Sequence, residues 1–186
     1  MFNDHFFDKG EMVTLADVLC ARESRATKQL ELLISQKNCS LLSCTMNIPG
    51  PIKTNSLVEA IFEEMLEVIN IHLKEYSPKE TVYLSTKTGN EYYYLSVVNP
   101  RVLKKIMILI EEEHPYGRLF DLDVLWLDQE GNLATISRTE MGLSFRRCYV
   151  CTQDAKVCGR SRKHSLPEMK MAITNLLKKG SEQIYG

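Results

Sequence analysis

The sequence predicts an α+β fold, a mixed and mostly antiparallel sheet with helices packed on it. Three observations lead there. The apolar repeat switches between a period near 3.6 and a period of 2 along the chain. Candidate strands come in pairs joined by short polar turns, the signature of hairpins. The helical stretches fall between those pairs instead of alternating one for one with strands. At 186 residues the chain fits a single domain, 1–186, with a full core.

Each element has its own signal. From about Met12 to Ser35 the pattern is helical, with Thr14 as N-cap, Asp17 as its partner three residues on, and Leu15, Val18, Leu19, Leu30, Leu33 and Ile34 as apolar positions. Leu41 to Ile48 reads as a strand closed by Pro49-Gly50-Pro51. Ser56 to Tyr76 is an amphipathic helix with Leu57, Ile61, Met65, Val68, Ile69 and Leu73 along one stripe. Thr81–Thr86 and Glu91–Val98 form a hairpin around Lys87-Thr88-Gly89-Asn90. Asn99-Pro100 starts a helix that runs to about Glu113. Leu119–Leu127 is a strand, turned back by Asp128-Gln129-Glu130-Gly131 into Asn132–Ser137, and a last helix spans Leu166–Lys178.

Composition excludes some functions. With 44% hydrophobic and 25% charged residues the chain is ordinary for a globular protein, and no apolar run reaches the length needed to span a membrane. A formal net charge of -1 gives no overall reason to expect nucleic acid or an anionic membrane as partner. The acidic opening, Met1–Asp8, lacks the basic and apolar regions of a signal peptide, so a cytoplasmic location is expected. Six cysteines in that setting read as free thiols or metal ligands, not as a disulfide framework.

Two clusters carry chemistry. In His114-Pro115-Tyr116-Gly117-Arg118-Leu119-Phe120-Asp121-Leu122-Asp123-Val124, side chains alternate along the strand, so Asp121 and Asp123 share a face while Leu122 and Val124 enter the core. Carboxylates roughly 6 to 7 Å apart repel unless a cation sits between them, and Mg²⁺ is the usual one beside phosphates. Gly117-Arg118 precedes the strand, where a loop can bring a guanidinium to a phosphate. The alternative is a half-buried strand with a wet face. The second cluster is Cys148-x₂-Cys151-x₆-Cys158-x₅-His164, a ligand set suited to structural Zn²⁺, against reduced thiols packed near a substrate pocket. Around it Arg146, Arg147, Lys156, Arg160, Arg162 and Lys163 make a local anion site reasonable. Arg146-Arg147 follows the hairpin that carries the aspartates, so the two clusters can meet in space.

The ordered set Arg22-Glu23-x-Arg25, Pro49-Gly50-Pro51-Ile52-Lys53, His114 to Val124, and Arg146-Arg147-Cys148-x-x-Cys151 with Ala155, Cys158, Arg160 and His164 resembles the apo-citrate lyase phosphoribosyl-dephospho-CoA transferases. The resemblance runs from about Leu15 to Leu177. It implies transfer of the 2′-(5″-phosphoribosyl)-3′-dephospho-CoA group from its triphosphate precursor to a serine of the citrate lyase acyl carrier protein (the gamma subunit), with release of pyrophosphate. It also implies a nucleotidyltransferase-like fold, although Gly117-Arg118 lies closer to the aspartates than the glycine turn of nucleotidyltransferases does.

On that basis Asp121 and Asp123 hold Mg²⁺, Arg118 and Lys53 meet the triphosphate, and Arg146 or Arg147 meets the leaving pyrophosphate. Arg22 and Arg25 form a second anion patch or pair with neighbouring carboxylates. His114 serves as general base or, the preferred reading, caps the helix before Pro115. Asp128 and Glu130 are the candidates for a third carboxylate. Two alternatives stay open: the equivalent transferase acting on a malonate decarboxylase carrier protein, and a non-enzymatic, zinc-stabilised binding module.

Overall fold

The computed structural model describes residue 7 and residues 9–185; the rest of the acidic opening at 1–8 lies outside the described residues. Helices α1 (Leu15–Ser35), α2 (Ser56–His72), α3 (Pro100–Glu113), α4 (Ala155–Ser161) and α5 (Leu166–Tyr185) accompany strands β1 (Ser40–Met46), β2 (Glu80–Thr86), β3 (Gly89–Ser96), β4 (Phe120–Leu127) and β5 (Leu133–Thr135). The strands form one sheet in the order β2-β3-β1-β4-β5. Every pairing is antiparallel, so the mixed sheet expected from sequence is purely antiparallel.

Local chemistry accounts for the element ends. Thr14 and Asp17 form a reciprocal capping box at α1. Asn55 accepts the Leu57 and Val58 N–H groups at α2, and Asn99 with Pro100 opens α3. Gly117, in a 3₁₀ turn between α3 and β4, admits no side chain. A Cβ there would lie 2.6 Å from the Glu111 carbonyl oxygen and 2.7 Å from that of Ile110. The backbone of β4 therefore starts in contact with the last turn of α3.

The two faces of the sheet are covered unequally. On one, Leu42 and Cys44 of β1, Tyr92 and Tyr94 of β3, and Leu122 and Val124 of β4 pack against Ile61, Phe62, Met65 and Ile69 of α2, Leu103 and Met107 of α3, and Ile173 and Leu177 of α5. On the other, Leu41, Tyr93, Leu95 and Leu125 pack against Leu32 and Leu33 of α1 alone. Those two are the only buried residues of α1. Leu15, Leu19, Leu30 and Ile34, expected as core positions, are exposed, Leu15 by 75%. The stripe that faces the sheet carries Arg25 and Gln29 before it reaches Leu32, so only the C-terminal end of α1 has apolar surface to bury.

Strand β5 pairs only with residues 125–127 of β4, which leaves the rest of that edge open. There α3 closes it with side chains. The Glu111 carboxylate accepts the Leu122 N–H at 3.3 Å, and Lys104 Nζ donates to the Leu122 carbonyl at 2.8 Å. Buried backbone polar groups need partners, and an edge strand without them invites foreign pairing.

Candidate active site

Asp121 and Asp123 project from the thinly covered face, opposite Thr45 and Ser43 of β1, while Leu122 and Val124 enter the core as expected. Asp123 is exposed and Asp121 is partly covered. Burial lifts the Asp121 carboxyl above its ordinary pKa; Arg146 opposes that rise, and Asp123 and Glu111 add to it. The guanidinium of Arg146 donates from Nη1 to Asp121 at 3.1 Å and from Nη2 to Glu111. Burial pulls the Arg146 pKa down, but the two carboxylates outweigh it and hold the group charged. The aspartate strand and the Cys/Arg segment thus meet, through Arg146; Arg147 beside it is exposed.

Across the same face, Glu91 of β3 pairs with Thr45, itself paired with Asp121. Glu91 is buried and bound by Arg25 of α1, with Nε at 2.9 Å and Nη2 at 2.8 Å, and it accepts the Tyr93 hydroxyl. Gln29 donates to Ser43 Oγ at 2.9 Å. These polar ties hold the middle of α1 over the sheet. Lys53 donates to the Ile48 carbonyl, and its pKa falls through burial and then through the charge of Arg22. Lys53 thus sits near the end of the sheet where β4 begins, since Asn47 N bonds the Leu119 carbonyl, and the charge of Arg22 reaches it.

Other expected residues are engaged elsewhere. Arg118 donates from Nη2 to the carbonyls of Arg147 at 2.8 Å and Cys148 at 3.4 Å, and its guanidinium lies 5.1 Å from the Tyr149 ring centre. His114 occupies the C-cap of α3, accepts the Tyr116 N–H at Nδ1, and places Nε2 3.4 Å from Glu64 of α2. Those contacts lie in the α2 and α3 layer, on the other side of the sheet from the aspartates. Asp128 accepts the N–H groups of Glu130 and Asn132 at Oδ1, which closes the β4–β5 turn; Glu130 sits in the same turn.

The sulfurs of Cys148, Cys151 and Cys158 and a ring nitrogen of His164 all lie within 4.8 Å of one another. Cys151 and Cys158 sulfurs are 3.6 Å apart, and His164 Nε2 is 3.3 Å from the Cys151 sulfur. A tetrahedral ion with bonds of about 2.0 to 2.3 Å sets ligand separations of roughly 3.5 to 3.8 Å, whereas a disulfide would need about 2 Å. The cluster is a possible metal site made of free thiols and imidazole. Burial raises the Cys148 thiol, but the N–H groups of Val150 and Cys151 and the neighbouring thiols outweigh it and bring its pKa below the ordinary value; burial pushes Cys158 up to about 11. The loop is shaped by Cys148 N bonding the Gln153 carbonyl and Ala155 N bonding that of Arg146.

The model of the family described as apo-citrate lyase phosphoribosyl-dephospho-CoA transferase matches residues 13–180. The chain belongs to that family. A relative from Streptococcus pyogenes named probable apo-citrate lyase phosphoribosyl-dephospho-CoA transferase is 47% identical over 177 residues, 95% of this chain and 91% of the relative. One of that name from Vibrio cholerae is 34% identical over 167 residues, 88% of this chain and 91% of its own. The Haemophilus influenzae protein named Protein CitXG is 37% identical over 179 residues, which cover 92% of this chain and 37% of that longer protein.

Glu111, Glu91 and Lys104 went unseen in the sequence. Glu111 opens an acidic run with Glu112 and Glu113 that reads as a solvated helix end. The available signal was spacing: Lys104 and Glu111 are seven apart, which puts them on one face with the apolar residues of α3.

Proposed function

We propose that the protein transfers the 2′-(5″-phosphoribosyl)-3′-dephospho-CoA group from its triphosphate precursor to a serine of the citrate lyase acyl carrier protein, in the cytoplasm. The observation that carries this is the pair Asp121 and Asp123 on an open sheet face, with Arg146 on Asp121, in a member of this family. In the transfer the serine Oγ forms a bond to the phosphorus nearest the ribose. The bond from that phosphorus to the pyrophosphate breaks, and the serine proton leaves to solvent or to a carboxylate.

The donor set fits the ions it would take. Asp121 and Asp123 are hard oxygen ligands beside cations, suited to Mg²⁺, which would neutralise triphosphate oxygens there. Cys148, Cys151, Cys158 and His164 suit Zn²⁺ in a structural role. Arg146, held between two carboxylates, is placed to turn toward the leaving pyrophosphate, and Lys53 with Arg22 supplies positive charge at the same end of the sheet. Arg118 serves by holding the Cys148 loop, and with it Arg146, in register. Arg25 fixes α1 through Glu91.

The test is pyrophosphate release with purified protein, the triphosphate donor, apo-carrier protein and Mg²⁺, omitting each in turn. Release only when all are present supports the reading. Release without carrier, or none with all four, overturns it. A malonate decarboxylase carrier in place of the citrate lyase carrier sets the specificity.

A further inference from the structure

Glu111 is 4% exposed, yet its carboxylate has three partners from three different segments. It accepts the N–H of Leu122, the central residue of Asp-Leu-Asp, on the open edge of β4. It binds Arg146, which reaches on to Asp121, and it lies 3.6 Å from Nη1 of Arg138, which also binds Glu112. Its neighbour Lys104, one face and two turns back on α3, takes the Leu122 carbonyl. Both edge-facing backbone groups of Leu122 are therefore fixed by α3, and Arg146 is shared between one carboxylate inside the protein and one at the site.

We propose that Glu111 is a positioning residue that sets the Asp121–Asp123 pair and keeps Arg146 from closing over it. A guanidinium left with Asp121 as its sole anion would form a bidentate pair and occupy the oxygens a divalent ion needs. Glu111 offers the same guanidinium a second, buried partner at a site where an unpaired charge would be costly. With a cation on Asp121, Arg146 would keep Glu111 as its anchor and supply positive charge beside it. The bond from Glu111 to Leu122 N holds the strand so that both aspartates keep the same face. This deepens the proposed reaction and rests on the reading of Asp121 and Asp123 as metal ligands.

The experiment is a titration of the full-length protein with Mn²⁺, read by loss of the free-ion electron paramagnetic resonance signal, alongside the Mg²⁺ dependence of pyrophosphate release. Glu111→Gln keeps the shape and an acceptor for Leu122 N but removes the charge. It should weaken Mn²⁺ binding about tenfold, the low end of what outer partners of metal ligands contribute, and shift the Mg²⁺ midpoint similarly. Arg146→Gln alone should leave Mn²⁺ binding as tight or tighter. In that background Glu111→Gln should lose most of its effect. An unchanged Mn²⁺ midpoint in a folded Glu111→Gln protein overturns the proposal, as does an equal shift with and without Arg146. Should Glu111→Gln fail to fold, Arg146→Gln decides: weaker Mn²⁺ binding there also overturns it. If wild-type protein binds no Mn²⁺, the metal reading of the aspartates falls with it, a result distinct from a midpoint that merely fails to move.

Discussion

The two faces of the sheet do different work with the same strands. On the α2, α3 and α5 side, alternate residues of β1, β3 and β4 are apolar and fully covered. On the α1 side, the residues between them split: Leu41, Tyr93, Leu95 and Leu125 pack on Leu32 and Leu33 at one end of α1, while Ser43, Thr45, Glu91, Asp121 and Asp123 make the other end polar. One face supplies the burial that stabilises the fold. The other carries a smaller apolar cluster and leaves Asp123 exposed and Asp121 partly covered. The strand period of two is what sets the aspartates and the larger core on opposite faces.

Substitutions can test that division. The largest effect should come from Asp121→Asn or Asp123→Asn: transfer falls at least ~10²-fold, as for loss of a metal-ligand charge, while the fold persists. Because the Asp121 pKa is raised in the folded state, ionised Asp121 disfavours folding at neutral pH, and the penalty fades as pH falls through that raised value. Asp121→Asn should therefore not lower the thermal midpoint of metal-free protein at neutral pH. Metal binding should fail on the acid side at a higher pH than an ordinary carboxylate would dictate. A calorimetric scan and pyrophosphate assay at several pH values check all three.

The converse is Met65→Ala on the thick face. Deleting this fully buried side chain should destabilise by about 2–5 kcal/mol, with activity per folded molecule retained. Urea unfolding paired with an assay below the transition would show it, and an equal loss of catalysis at full folding would merge the two faces again.

Smaller effects sharpen the comparison. Cys148→Ser should remove about one equivalent of zinc per chain by elemental analysis and lower the thermal midpoint. Arg118→Lys should reduce catalytic efficiency by about one to two decades through loss of charge-assisted bonds to the Cys148 loop; Arg160→Lys, in an exposed position, should change little. The least effect belongs to Leu15→Ser, within about 0.5 kcal/mol, because its side chain is exposed despite its apolar periodicity. A large stability loss there would mean that α1 packs on something.

How much of this was legible in the sequence follows from what kind of signal each part gives. Capping residues are local, so the starts of α1 and α3 at Thr14 and Asn99 were within reach, as was the alternation that puts both aspartates outside. The ends of strands were less so: β5 was expected over Asn132–Ser137 and pairs only over Leu133–Thr135, because pairing depends on the neighbour strand. Apolar periodicity in α1 misled, since a stripe is buried only where the opposing surface is also apolar. Glu111 and Glu91 were hidden for a related reason. A carboxylate is buried where cations reach it, here Arg146 and Arg138 for one and Arg25 for the other, and those come from 27 and 66 residues away or more.

The glycine contact between α3 and β4 has a further consequence for how the site comes together in time. Glu111, Asp121 and Asp123 lie within a helix, a three-residue turn and a strand that are adjacent in the chain, with Gly117 pressed onto the carbonyls of Ile110 and Glu111. Such short-range contacts close early in folding, whereas Arg138 and Arg146 arrive from beyond the β4–β5 hairpin. Three carboxylates are then gathered with Lys104 as their near cation, before Arg138 and Arg146 join them. Refolding should accordingly quicken with added salt, which screens that repulsion, even where the finished protein gains little from it.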